Sequence, residues 1–122
     1  MNDNLEIAIK ELTQNLSLSD LAKARDSLTS KYRDKSRHGK AKIFMNSHLE
    51  RLSYLVTRFP ATYAVIQYVL NEIKARIPNV QIKTLLALGS GPGTAYFAAC
   101  DAFERLEKAH LIEQDKELIR LG

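Results

Sequence analysis

Leu5, Ile9, Leu12 and Leu16 recur at helical spacing, so the chain opens on an amphipathic helix of about three turns. Ser17-Leu18-Ser19-Asp20 then reads as a helix start, with a hydroxyl to cap free N–H groups and a carboxylate three residues on. The second helix is expected over about 20–37, with Leu21, Ala24, Leu28 and Tyr32 on one face and Gly39 as its stop. A third helix, about 41–57, carries Ile43, Met45, Leu49, Leu52 and Leu55. Pro60 should end it, because the residue before a proline avoids helical geometry. A fourth helix, Pro60 to about Ile77, is apolar on most sides and is expected to be the most buried helix of the front half. Pro78-Asn79 is a second break.

The texture then changes. Ile82 to Leu88 is a short apolar run that ends at a glycine cluster, as a buried parallel strand does. Thr94 to Lys108 has helical spacing, with Ala95, Ala98, Ala99, Ala102, Phe103 and Leu106 on the inner face. Residues 109–113 read as a second strand, and a last helix starts at Asp115. The expected fold is therefore mostly α with one short parallel βαβ unit: a helical region over 1–78 and a Rossmann-like region over 79–122.

Composition changes this picture little. The chain has 122 residues, 45% hydrophobic and 26% charged, which excludes a disordered chain, a collagen and a disulfide scaffold. One cysteine, Cys100, excludes an internal disulfide and a Cys-rich metal site, and no metal centre is expected. It reads as a buried small apolar residue, and His110 as packed in its strand. No run has the length of a membrane span, and the polar start is unlike a targeting peptide, so the cytoplasm is the expected location. Net charge is +4, and it is concentrated. Lys31, Arg33, Lys35, Arg37, Lys40 and Lys42 lie within twelve residues, a spacing suited to RNA phosphates.

The most informative stretch is Leu88-Gly89-Ser90-Gly91-Pro92-Gly93-Thr94. Glycines between a strand and a helix permit positive φ and let a ligand approach the backbone, while the following helix start offers N–H groups. The spacing is G-x-G-x-G. A P-loop would need a Gly-Lys-Ser/Thr ending, and a dinucleotide fingerprint a glycine where Thr94 stands. The pattern is that of class I S-adenosylmethionine-dependent methyltransferases. Glu113, 20 residues after Gly93, stands where an acidic residue would hold ribose hydroxyls.

Three segments together resemble one family. Arg58-Phe59-Pro60-Ala61-Thr62-Tyr63-Ala64 is similar to its R-x-P-A-T-Y-A signature, Leu86 to Thr94 to its D-L-G-A-G-P-G-T turn, and Leu28 to Arg33 to its L-S-x-x-Y-R stretch. This is the ribosomal small-subunit methyltransferase-like family, and the resemblance spans about 28–122. It implies S-adenosylmethionine as cofactor and small-subunit ribosomal RNA or the ribosome as partner. It also implies that Gly89, Ser90, Gly91 and Gly93 face the cofactor's methionine part and that Glu113 faces its ribose. Arg58 and Tyr63 of the signature are candidates for a surface near the glycine turn.

Two departures qualify the resemblance. The family's acidic residue two before the first glycine is Ala87, which leaves the cofactor's ammonium without a counter-charge. Later strands and substrate-facing residues of such a domain are missing, so the chain reads as the N-terminal part of a methyltransferase-like protein that does not methylate alone. The alternative reading is a non-catalytic RNA- or ribosome-binding assembly factor. A two-stranded parallel sheet leaves both edges open, which invites self-association. Light scattering is expected to show a particle larger than 13.8 kDa, and a clean monomer at high concentration would count against open-edge pairing.

Overall fold

A computed structural model describes residues 1–38, 45 and 47–122, with the backbone alone at 35–38. The elements are α1 (Asp3–Thr13), α2 (Leu18–His38), α3 (His48–Arg76), β1 (Thr84–Leu88), α4 (Thr94–Ala102), β2 (Lys108–Ile112) and α5 (Lys116–Leu121). The fold is mostly helical with one two-stranded parallel sheet, as the pattern predicts. It divides into two compact units, Asn4–Arg58 and Met1–Asp3 with Phe59–Gly122. The packing divides inside α3.

In the first unit, Ser17 Oγ accepts from Asp20 N at 3.1 Å and so caps α2 as expected. Leu21, Ala24 and Leu28 form its buried stripe, and Leu52 and Leu55 are buried on α3. Ser53 Oγ donates to Leu21 O at 3.1 Å, which ties the two helices. Glu50, itself buried, accepts from Ser27 Oγ at 3.0 Å and from Lys31 Nζ at 2.9 Å on each oxygen. α1 buries no residue completely.

The third helix begins at His48, where Ser47 Oγ accepts from Glu50 N at 3.1 Å. That Ser-x-x-Glu start is legible in the sequence; the expected start at 41–44 lies outside the described residues, as does Gly39. The expected break at Pro60 does not occur. One 29-residue helix carries Pro60 inside it. The proline removes the donor to the Val56 carbonyl, a position whose side chain is exposed, and the helix is held on both sides by buried Leu55, Phe59 and Tyr63.

The second half of α3 is also not the buried core expected of it. Val65 is 64% and Tyr68 69% exposed, and only one face is buried. That face is fastened to α4. Phe59 lies 6.4 Å from the Tyr63 ring and 6.1 Å from Phe97. Gln67 Nε2 donates to Ala98 O at 2.6 Å, and Lys74 Nζ to Ala102 O at 2.8 Å. Tyr63 donates to Asp101.

The strands pair in parallel, Leu86 beside His110 and Leu88 beside Ile112. Their burial differs from expectation. Side chains alternate across a sheet, so Leu86 (62% exposed), Leu88 (73%) and Ile112 (57%) share one bare face, while α4 contacts β1. His110 belongs to that face and is exposed, not packed. α4 ends at Ala102, short of the expected Lys108, and Phe103 adopts extended backbone at its C-cap. The six residues expected as helix beyond Ala102 include the start of β2, because the chain must reach Lys108 in register with Thr84.

Burial of Tyr63, then its bond to the Asp101 carboxylate, push its phenol up to about 12 from 10. The unfolded phenol ionises first, so the protonated folded form contributes stability that is fully present below pH 10 and is lost as pH rises through 12. Denaturant midpoints measured from pH 8 to 11 should fall more steeply for the natural chain than for Tyr63→Phe.

Candidate functional site

The site is built on the turn between β1 and α4. Gly89, Gly91 and Gly93 have φ of 64°, 56° and 86°, in the left-handed region that side chains disfavour. Gly93 is the N-cap of α4 and offers no side-chain cap, so the first helical N–H groups of Thr94, Ala95 and Tyr96 lie at an uncapped positive end. A Cβ at Gly93 would stand 3.4 Å from the Phe97 ring, whereas one at Gly89 would meet nothing within 4 Å. The turn is thus closed toward the helix and open at its first glycine.

Backbone bonds fix its shape. Ser90 N donates to Ile112 O at 3.0 Å, which fastens the turn to the end of β2, and Gly93 N donates to Ser90 O at 3.0 Å. Glu113 completes the tie. Its Oε2 accepts from Gly91 N at 2.8 Å, and its Oε1 accepts from Gln114 N at 2.8 Å and Asp115 N at 2.9 Å. Asp115 Oδ1 then caps α5, accepting from Glu117 N at 3.0 Å and Leu118 N at 3.2 Å. One short segment therefore shapes the turn and starts the next helix.

Glu113 is the residue that the sequence places toward a ribose. Its carboxylate meets three backbone donors, which uses three of the roughly four acceptor positions a carboxylate has. One position remains on Oε2. Sequence spacing locates this residue and cannot show the bond to Gly91, which depends on the turn's φ angles.

A cavity of about 170 Å³ lies under the turn, lined by Ser90, Gly91, Gly93, Phe97, Leu111 and Ile119 among others. It is smaller than the ~300 Å³ at which ligand pockets begin, so it holds part of a cofactor at most. Thr94 is buried, and its Oγ1 has no partner among the described residues. Thr13 and Thr57 bond back to the carbonyl four residues earlier, at 2.8 Å each. For Thr94 that carbonyl belongs to Ser90, which Gly93 N occupies.

The other expected residues are dispersed. Lys31 is paired with Glu50 and Arg33 is exposed on α2; the side chains of Lys35 and Arg37, and all of Lys40 and Lys42, lie outside the described residues. Tyr63 and Arg58 do not join the turn: Tyr63 is buried on Asp101, and Arg58 stacks over the Tyr32 ring at 4.9 Å. Cys100 is exposed, not buried, and its thiol, one helical turn from Tyr96, pushes that phenol up.

The family described as mitochondrial small ribosomal subunit Rsm22 matches residues 48–122, from the start of α3 to the end of α5. The chain belongs to this family. The match covers the Pro60 signature and the glycine turn, two of the three segments that carry the resemblance; the third, Leu28 to Arg33, lies before it. No curated protein matches the chain. The family description names a mitochondrial subunit, where the sequence alone suggested the cytoplasm. Among the described residues no helix is long and apolar enough to cross a membrane.

Removing the Glu113 carboxylate strips three N–H groups of their acceptor. Glu113→Ala should cost about 2–3 kcal/mol of stability, a charge-assisted bond being the largest part, and should expose the Gly91 amide to hydrogen exchange. Glu113→Gln, which keeps one acceptor oxygen, should lose less. Equal denaturant midpoints for all three chains would show that the carboxylate does not hold the turn.

Proposed function

We propose that residues 79–122 are the opening βαβ unit of a Rossmann-like methyltransferase fold. The turn's ligand is S-adenosylmethionine, and the protein works with the small ribosomal subunit or its RNA. The observation that carries this reading is the contact between Gly91 N and Glu113 at the carboxyl end of two parallel strands. Open α/β sheets bind ligands there. The carboxylate also selects among ligands. It sits on the N–H that would cradle a phosphate, so it repels nucleotide phosphates and favours a cationic ligand with a ribose diol.

The residues fit that ligand in part. Glu113 has one acceptor position left for a ribose hydroxyl, Gly89 is open, and the α4 N-terminus faces the turn. Bound S-adenosylmethionine supplies an electrophilic methyl group. This chain's own residues hold and orient the cofactor. Ala87 favours the second reading, a non-catalytic assembly factor that keeps the fold, because it leaves the cofactor ammonium unpaired.

The test is a gain of function. S-adenosylmethionine at millimolar concentration should raise the melting temperature of the chain, Gly91→Val should abolish the shift, and Ala87→Asp should tighten binding by about tenfold, as one new charge pair would. No shift in either the natural chain or Ala87→Asp would end the cofactor reading and favour the assembly-factor one.

A further inference from the structure

A second cavity lies in the Phe59–Gly122 unit, separate from the glycine turn. It measures about 570 Å³, within the range of ligand sites, and Tyr63, Gln67, Tyr68 and Asn71 of α3 line it with Asp101 of α4 and Met1. Its one charged side chain is the Asp101 carboxylate. Asp101 Oδ2 accepts from Tyr63 and Oδ1 from Asn2 Nδ2 at 3.4 Å, so about two of its four acceptor positions stay open. Gln67 directs its Nε2 to Ala98 O and Tyr63 Oη, which turns its Oε1 into a further acceptor. No lysine or arginine lines the cleft. The nearby Lys74 is engaged by Ala102 O.

The Tyr68 ring, 69% exposed, forms one wall. A fixed carboxylate beside an open aromatic face suits a guanidinium, which pairs with the carboxylate in its own plane and stacks on the ring. The chain uses the same stacking elsewhere, with Arg58 over Tyr32. Part of the site is already taken by the chain's own N-terminal tip, whose Asn2 amide donates to Asp101. We infer that this α3–α4 cleft binds an arginine side chain of a partner polypeptide, with Asp101 as its counter-charge, Tyr68 as its stacking surface and Tyr63 holding the carboxylate in place. An RNA strand fits less well, since the one charged side chain lining the cleft would repel phosphate.

The experiment is an NMR titration of the full chain with N-acetyl-L-argininamide and, in parallel, its neutral isostere N-acetyl-citrullinamide. The arginine compound should move the side-chain amide signals of Gln67 and Asn71, and the citrulline compound should bind about tenfold more weakly or worse, the loss of a charge-assisted pair. Asp101→Asn should weaken arginine binding by a similar factor, and Tyr68→Ala by roughly two- to fivefold. Tyr68 is exposed, so that variant keeps the test valid if Asp101→Asn fails to fold. Asn2→Ala should tighten binding by freeing Asp101. The inference is overturned if the arginine compound leaves those signals in place, if citrulline binds equally well, or if an oligouridylate moves them and arginine does not.

Discussion

Two five-residue parallel strands do not hold together in water, so the glycine turn depends on what packs against them. That support is α4, and α4 is held in turn by the second half of α3. Phe59 meets Phe97, while Gln67 and Lys74 bond to the carbonyls of Ala98 and Ala102 near the helix end. The carbonyl of Ala102, the last residue of α4, has no intrahelical donor, because the helix stops after nine residues. The long helix therefore does two jobs for the short one: it buries its small-residue face and satisfies its end. This is why the compact unit that contains the turn begins at Phe59, in the middle of a helix.

The turn itself is an electrostatic compromise. An uncapped helix start following three glycines with positive φ would attract an anion, and the chain supplies one from within. Glu113 settles on Gly91 N and leaves the turn shaped but negatively charged. The bond makes Glu113 a structural residue as well as a candidate ligand contact. The bare sheet face of Leu86, Leu88 and Ile112 is the opposite case, an apolar surface with nothing laid over it among the described residues.

Much of this was legible beforehand. The Ser17 cap, the stripe Leu21, Ala24, Leu28, both strands and the helix after the glycines follow from local spacing, because capping, periodicity and turn chemistry act over a few residues. The grouping of Gly89, Ser90, Gly91, Gly93 and Glu113 was legible for the same reason, since a βαβ unit brings the ends of its strands together. Other readings failed because the outcome depends on how the rest of the fold packs. Pro60 disfavours helix, but packing on both sides carries the helix through it. Cys100 and His110 look like core residues by position, and only the lack of a covering layer exposes them.

The sequence by itself determined the order and type of the elements, the family and the place of the candidate site. The tertiary structure decided which surfaces are covered and what each polar group meets. Lys31, a phosphate contact by composition, is held by Glu50; Tyr63, a surface candidate by motif, is buried on Asp101. The physical reason is range. Backbone geometry is set by neighbours along the chain, whereas a charge or hydroxyl finds its partner among residues 19 to 38 positions away, which only the packing of helices brings within 3 Å or so.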